Sequence, residues 1–245
     1  MNIALIGYGK MGKEIEAVAL TRGHRIPLIV DVDNRHELTP EHLKVCDVAI
    51  EFTSPHTAVD NIRDCFAAGV PVVCGSTGWL EQQEAVRQEC KAKKLGFFYS
   101  SNYSVGVNIF FRINKILAGM MNAAGGYRPS MEEVHHTEKK DAPSGTAITL
   151  AETIMSELKP LKKWVNEASE AEGELPVVSV REAGVPGTHI VRYESDVDCI
   201  TLSHAAKNRK GFALGAVLAA EFLKGKQGCY GMEDLFELKG EELRT

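Results

Sequence analysis

Met1-Asn2-Ile3-Ala4-Leu5-Ile6-Gly7-Tyr8-Gly9-Lys10-Met11-Gly12 is the stretch that decides the fold. The first six residues are apolar enough for a short buried strand, and three glycines follow in the spacing Gly-x-Gly-x-x-Gly. Glu14 to Leu20 then has a helical period, with Ile15, Val18 and Ala19 on one side. Arg22-Gly23-His24 closes that helix, and Ile26 to Val30 is a second apolar run ending at Asp31-Val32-Asp33. A glycine pattern of this kind is weak evidence when it stands alone. Here it lies between a strand and a helix, with an acid about 20 residues beyond the last glycine, which is the context of a dinucleotide site. Gly7 allows the tight turn, Gly9 lets a pyrophosphate approach the backbone, and Gly12 lets helix and strand pack closely. Asp31 is the first choice for the ribose hydroxyls and Asp33 the second.

The same alternation continues to Tyr103. Val45–Phe52, Val70–Cys74 and Gly96–Tyr99 read as further strands, with helices over 56–68 and about 80–94 between them. Their continuous apolar character suits a parallel sheet covered on both faces. The strand-end segments Thr53-Ser54-Pro55, Gly75-Ser76-Thr77-Gly78-Trp79 and Ser100-Ser101-Asn102-Tyr103 are rich in hydroxyl and N–H donors. Ligands of open α/β sheets bind at that end of the strands, so a cofactor is expected along this edge.

After Tyr103 the rhythm changes. Residues 105–122 read as a helix whose Ile109, Phe110, Ile113, Ile116, Leu117 and Met120 face a core. Glu132 to His136 reads as the end of a strand, Ala142 to Gly145 as a turn, and Thr146 onward as an amphipathic helix carrying Ile148, Ala151, Met155 and Leu158. A helix N-terminus presents unpaired N–H groups and the positive end of a dipole. The cationic loop His135 to Lys140, feeding such a terminus, is therefore a socket for carboxylate or phosphate, although a solvated mixed-charge loop would look similar. His135 and His136 point to opposite faces of a strand and cannot easily share one ion, so no metal is expected. Residues 159–176 are polar and read as a mobile surface loop. Val177–Arg181, Thr188–Tyr193 and Val197–Ser203 follow as strands without intervening helices, which marks an α+β second domain, with Arg192-Tyr193-Glu194-Ser195 as a surface hairpin end. A helix from Asn208 to Leu223, with Ala216, Ala219 and Ala220 for close packing, is expected to return to the first domain with the tail.

Composition narrows the partners. The 245 residues carry 28 Lys and Arg against 33 Asp and Glu, a net charge of −5, which argues against nucleic acid or an anionic membrane. Any anion site must then be a local basic pocket. No apolar stretch approaches the ~20 residues of a membrane span, and Met1 leads directly into a strand, so a cytoplasmic protein is expected. The six cysteines lack Cys-x-x-Cys spacing and read as reduced, mostly buried small hydrophobes.

These residues together resemble the 4-hydroxy-tetrahydrodipicolinate reductase (dihydrodipicolinate reductase) family over nearly the whole chain. The resemblance rests on Gly7-x-Gly9-x-Met11-Gly12, Glu51-Phe52-Thr53, Gly75-Ser76-Thr77-Gly78, Ser101-Asn102-Tyr103-Ser104-Val105-Gly106 and Ser203-His204-x-Ala206. The block His135-His136-x-x-Lys139-x-Asp141-x-Pro143-Ser144-Gly145-Thr146 is the most specific part. The resemblance implies an α/β fold with an N-terminal Rossmann-like dinucleotide-binding domain (1–103, completed by 209–245) and a C-terminal α+β domain with an open mixed sheet (104–208) for substrate binding and oligomerisation. It implies reduction of 4-hydroxy-tetrahydrodipicolinate, or its dehydrated form, in the diaminopimelate route to lysine, by a homotetramer using NADH or NADPH. Gly7, Gly9, Lys10, Met11 and Gly12 would hold the pyrophosphate and Asp31 the ribose. Gly75, Ser76, Thr77, Ser100, Ser101, Asn102 and Tyr103 would flank the nicotinamide end. The substrate is a small cyclic imine dicarboxylate, with His136, Gly145 and Thr146 as binding residues and His135 and Lys139 as catalytic ones. Cofactor preference stays open: Asp31 repels a 2′-phosphate, while Lys10 and Arg35 are cations suited to one.

Overall fold

Alternation of strand and helix in the first hundred residues builds β1 (Asn2–Ile6), α1 (Lys10–Thr21), β2 (Arg25–Val30), α2 (Pro40–Leu43), β3 (Val48–Glu51), α3 (Ala58–Ala67), β4 (Val72–Cys74), α4 (Gln83–Lys93) and β5 (Gly96–Tyr99). The chain continues through α5 (Val105–Ala124), β6 (Arg128–His135), α6 (Gly145–Glu157), β7 (Lys163–Val165), β8 (Glu174–Arg181), β9 (Thr188–Glu194) and β10 (Cys199–Ala205). It ends in α7 (Lys210–Leu223), β11 (Gly228–Tyr230) and α8 (Met232–Glu241). The structure, a computed structural model, describes residues 1–241. Two compact units result: Met1–Val105 with the chain from Arg209 onward, and Gly106–Asn208.

The first unit is a parallel sheet in the order β11-β5-β4-β3-β1-β2. All four residues of β3 are buried, as a central strand covered on both faces requires. One face packs against α2, α3 and α4 through Leu43, Ile62, Phe66 and Val86. The other packs against α1 and α7 through Ile15, Ala213, Ala216, Val217 and Ala220. The small side chains of α7 let the helix lie close to the sheet and to the segment after β5. A Cβ built on Gly215 would stand 1.8 Å from the Tyr103 carbonyl oxygen.

The second unit holds a mixed sheet in the order β10-β9-β6-β8-β7. Here β6 is the centre, parallel to β8 and antiparallel to β9. Of the three consecutive strands of the sequence, β9 and β10 pair side by side, but β6 separates β8 from β9. Alternation buries Met131, Glu133 and His135 of β6 with Leu175 and Val177 of β8 and His189, Val191 and Tyr193 of β9, against α6.

Several expectations change. The third strand starts at Val48, not Val45, and Val45 is exposed. The polar segment 159–176 supplies β7 and the start of β8, because Trp164 and Leu175 join the core and Lys163 pairs with Glu174 at 2.9 Å. Tyr193 is fully buried, not part of a surface hairpin end. On α5 the buried stripe is Val107, Phe110, Asn114, Ala118 and Met121, whereas Ile109, Ile113, Ile116 and Met120 are exposed. That helix is apolar on two faces, so periodicity alone does not select the inner one. Of the cysteines, Cys46, Cys65, Cys74 and Cys90 are buried and Cys199 is exposed.

Two glycines of α7 test the close approach. Gly215→Ala should cost at least ~1–3 kcal/mol, a fall in Tm of roughly 2–10 °C, because the obstacle is backbone. Gly211→Ala meets nothing closer than the Ser104 hydroxyl at 3.9 Å and should leave Tm unchanged or slightly raised. Circular-dichroism melts of both variants make the comparison, and an unaltered Tm for Gly215→Ala would contradict the packing.

Candidate active site

In the first unit α1 starts at Lys10, inside the glycine motif and earlier than the sequence period suggests. Gly9 is its N-cap, with no side-chain cap and no acid in the first turn. Gly7 sits at φ +95°, and a Cβ there would lie 2.1 Å from the Phe52 carbonyl oxygen. A Cβ on Gly12 would lie 2.2 Å from the Gly7 oxygen, whereas at Gly9 nothing stands within 4 Å. Gly7 and Gly12 are thus fixed by packing, and Gly9 is an open cradle at the positive end of a helix. A pyrophosphate fits it. Lys10 is exposed and Met11 half-buried beside it.

Asp31 and Asp33 are both exposed just after β2, where the Asp31 N–H donates to Asn34 Oδ1 at 2.7 Å. Arg35 is paired with Asp64, so that cation already has a partner. At the end of β3 the carboxylate of Glu51 is fully buried and gathers the neighbouring loops. Ser76 Oγ donates to it at 3.1 Å, the Thr53 hydroxyl bonds it, and the Thr53 N–H donates to Ser76 Oγ at 2.7 Å. The Ser76 side chain is therefore committed inside the protein, as are the Gly75 N–H, which donates to the Glu51 carbonyl at 2.9 Å, and the Ser76 carbonyl, which accepts from Trp79 Nε1 at 2.7 Å, while Thr77 is exposed. The Tyr103 ring is 2% exposed and its hydroxyl donates to the Cys74 carbonyl at 2.7 Å, so its side chain is core and only its backbone can line this loop. Ser100 Oγ closes a small turn by accepting from the Asn102 N–H at 3.1 Å, with Ser101 exposed at its tip.

In the second unit β6 delivers Glu133 and His135 to the same face. Glu133 is fully buried and its carboxylate accepts from the Ser144 N–H at 3.1 Å on both oxygens, from Ser179 Oγ at 2.8 Å and from Arg181 Nη2 at 3.3 Å. Its Oε2 also lies 3.2 Å from His135 Nδ1, off the line of a well-formed hydrogen bond, and 3.8 Å from His189 Nε2. His136 leaves that face and pairs with Glu138 at 3.1 Å. Lys139 Nζ donates to both oxygens of Asp141 at 2.8 Å. Arg181 ties this loop down by donating to the Asp141 carbonyl at 2.6 Å.

The turn Pro143-Ser144 then starts α6. Ser144 is the N-cap, its Oγ accepting from the Ala147 N–H at 3.2 Å and sharing a hydrogen with His189 Nε2 at 3.1 Å. Gly145 is exposed and Thr146 half-buried in the first turn, with no acid there. The structure thus brings His135, His136, Lys139, Gly145 and Thr146 to one end of β6 and α6. Sequence reasoning passed over Glu133, Arg181, His189, Ser179 and Ser144. The strand period offered one signal, since Glu133 stands two residues before His135. Arg181 and His189 come from other strands and have no local signal. Glu133, His135 and His189 offer ligand atoms within 4.8 Å of one another, a set with the donor types of a metal site. The Arg181 guanidinium on that carboxylate already supplies its positive charge.

The family model for the N-terminus of dihydrodipicolinate reductase matches residues 1–103, and the model for its C-terminus matches residues 106–236. The chain belongs to the dihydrodipicolinate reductase family. It is 48% identical to the 4-hydroxy-tetrahydrodipicolinate reductase of Christiangramia forsetii, over 96% of this chain and 97% of that relative. It is 37% identical to the enzyme of the same name from Methanoculleus marisnigri, over 78% of this chain and 76% of the other. Its fold is that of a dipicolinate-bound dihydrodipicolinate reductase from Paenisporosarcina sp. TG-14, with a TM-score of 0.79, 24% identity, and coverage of 96% of this chain and 98% of that one.

In this member of the family the charges at the end of β6 are strongly biased. Burial works to raise the Glu133 carboxyl, but hydrogen bonds from Ser144 and Ser179 outweigh it and hold the group below its ordinary range, so it is ionised. Burial pushes His135 down, opposed by Glu133 and reinforced by Lys139 and Arg181. The Lys139 ammonium keeps Asp141 low. Burial, with His135 beside it, pushes His189 from 6.5 down to about 4.

Folded His189 therefore takes up a proton only near pH 4, whereas the unfolded chain binds one near 6.5. The unfolded state binds more protons between these values, so stability falls as pH is lowered through that window, by on the order of 3 kcal/mol. Melts from pH 7 to 4.5 should show a shallower decline in Tm for His189→Asn than for the native protein. Parallel curves would contradict a neutral buried His189.

Proposed function

We propose that this protein is a 4-hydroxy-tetrahydrodipicolinate reductase, which uses NADH or NADPH to reduce 4-hydroxy-tetrahydrodipicolinate or its dehydrated form to tetrahydrodipicolinate, in the diaminopimelate route to lysine. The observation that carries this reading is the convergence of His135, His136, Lys139 and the Gly145–Thr146 helix start, in a chain 48% identical to a relative of that name. Gly7, Gly9, Lys10, Met11 and Gly12 hold the pyrophosphate, and Asp31 meets the adenosine ribose. Gly75, Ser76 through its backbone, Thr77 and the Ser100–Asn102 turn flank the nicotinamide. The uncapped, acid-free start of α1 supports the first assignment.

When bound, the reduced nicotinamide supplies the hydride. The Gly145 N–H and the Thr146 N–H and hydroxyl hold one substrate carboxylate at the positive end of α6, with His136 beside them. The hydroxylated ring loses water to give the same conjugated imine as the dehydrated form. Lys139 stands where negative charge then builds toward the ring nitrogen and gives a proton there, forming the N–H bond of an enamine that tautomerises to tetrahydrodipicolinate and leaving Lys139 as a neutral amine. Asp141 aims the lysine, and His135 restores its proton from solvent. The protein works as a homotetramer in the cytoplasm. Supporting this assembly, the outer face of the second sheet carries half-buried Val134, Val178, Val180 and Ile190, and α5 exposes Ile109, Ile113, Ile116 and Met120. Among the described residues no helix is long and apolar enough to cross a membrane.

The decisive assay supplies pyruvate, aspartate semialdehyde and the synthase that condenses them, and follows NADH absorbance. The native protein should consume NADH only when all three are present, and no consumption with either cofactor would overturn the reading. In that assay Lys139→Ala should lower kcat roughly a hundredfold to a thousandfold with NADH affinity intact. Thr146→Val should mainly raise the substrate KM and weaken pyridine-2,6-dicarboxylate as a competitor. A Lys139→Ala enzyme with normal turnover and a raised KM alone would make Lys139 a carboxylate clamp instead.

Cofactor choice is tested at Asp31. Loss of a charged hydrogen bond is worth roughly 1.5–3 kcal/mol, so Asp31→Ala should raise the NADH KM about tenfold or more and the NADPH KM less. An unchanged ratio of the two would point to Asp33 instead, or to adenine recognition elsewhere.

A further inference from the structure

Glu133 offers more than a structural anchor. Its Oε1 accepts from Ser179 and Arg181 and both oxygens accept from the Ser144 N–H, while Oε2 also lies 3.2 Å from His135 Nδ1, off the line of a straight hydrogen bond. The other nitrogen, Nε2, lies over Gly187, where an added Cβ would come within 2.9 Å of it. His189 stands against both groups, with its ring centroid 5.1 Å from that of His135. The imidazole is thus wedged between a fixed carboxylate, a second ring and a glycine.

We infer that Glu133 is a positioning residue that holds the proton of His135 on Nδ1, leaving Nε2 as the nitrogen that exchanges protons. This rests on the reductase reading, in which His135 recharges Lys139. A carboxylate against one imidazole nitrogen selects the tautomer with its hydrogen there, and it stabilises the imidazolium when the far nitrogen is protonated. Nε2 takes a proton from solvent, the ring becomes an imidazolium facing Glu133, and the same proton passes to the neutral Lys139 amine. The ring returns to its Nδ1–H form, and charge balances at each stage.

The groups that bear on the imidazole come from every neighbouring element. Glu133 precedes it on β6, His189 faces it from β9, Arg181 from β8, and Lys139 and Asp141 from the loop. Burial, Lys139 and Arg181 oppose a charge on the ring, and Glu133 is the largest influence in its favour. Without that carboxylate the ring should protonate only at lower pH and adopt either tautomer. Glu133 also holds the Ser144 N–H, so a merely structural role predicts a loosened α6 start and a substrate KM effect instead.

The two roles separate in Glu133→Gln, which keeps the shape and removes the charge. If Glu133 positions His135, kcat should fall roughly tenfold to a hundredfold, within the range that acid–base groups contribute. The limb of the kcat–pH profile set by His135 should move to lower pH, and NADH affinity should hold. Glu133→Asp, which restores the charge one methylene further back, should recover the position of that limb and part of kcat. A folded Glu133→Gln enzyme with unchanged kcat and pH limb, and only a raised substrate KM, would overturn the inference. Should that variant fail to fold, nitrogen-15 shifts of the native imidazoles decide: Nδ1–H is expected for His135, and an Nε2–H tautomer would overturn it. A native protein with no reductase activity would instead defeat the reading on which the inference rests, and the tautomer would still be measurable.

Discussion

A carboxylate taken wholly out of water costs several kcal/mol unless donors replace its hydration. Glu133 is such a group, and the arrangement of the second unit follows from meeting its demands. Its donors come from the turn before α6 and from Ser179 and Arg181 on β8, with the His135 and His189 imidazoles packed beside it. Satisfying one side chain therefore fixes the start of α6 against three strands. The Ser144 N–H, pinned to both carboxylate oxygens, sets where Gly145 and Thr146 present their first-turn donors. Arg181 extends the same constraint to the lysine loop through the Asp141 carbonyl.

The first unit uses the same device. Glu51, fully buried at the end of β3, bonds the Thr53 hydroxyl and Ser76 Oγ, and the Cys74 thiol points to it at 3.1 Å. The two loops that follow β3 and β4 are thereby tied to one carboxylate beneath them. In both units an acid placed on a strand and out of contact with solvent organises a loop that offers backbone donors. Loops anchored this way hold their N–H groups in place before a ligand arrives, which lowers the entropy cost of binding.

Much of this was legible in the chain. Val48 to Glu51 and Val72 to Cys74 are apolar runs bounded by turn residues, and the helices between them repeat apolar positions at three and four residues. Such patterns survive folding because a two-faced parallel sheet leaves little choice about what is buried. The motif from His135 to Thr146 was equally plain, because its residue types are rare in that order. The lapses came where burial is decided by partners. Tyr103 stood in a donor-rich loop yet became core, since α7 returns over it with Gly215 against its carbonyl. Segment 159–176 was polar on average, but Trp164 and Leu175 sufficed to draw two strands out of it.

The sequence by itself determined the five strands of the first hundred residues, the glycine cradle at the start of α1, and the charged and polar run from His135 to Thr146 that leads into α6. These are local matters, set by period, turn chemistry and composition over a few residues. Only the tertiary structure decided that β6 would lie between β8 and β9, and hence that Arg181 and His189 would meet Glu133 and His135. Strand pairing joins residues about fifty apart in the chain through hydrogen bonds that any backbone can make, so register and neighbour choice come from the burial of whole faces.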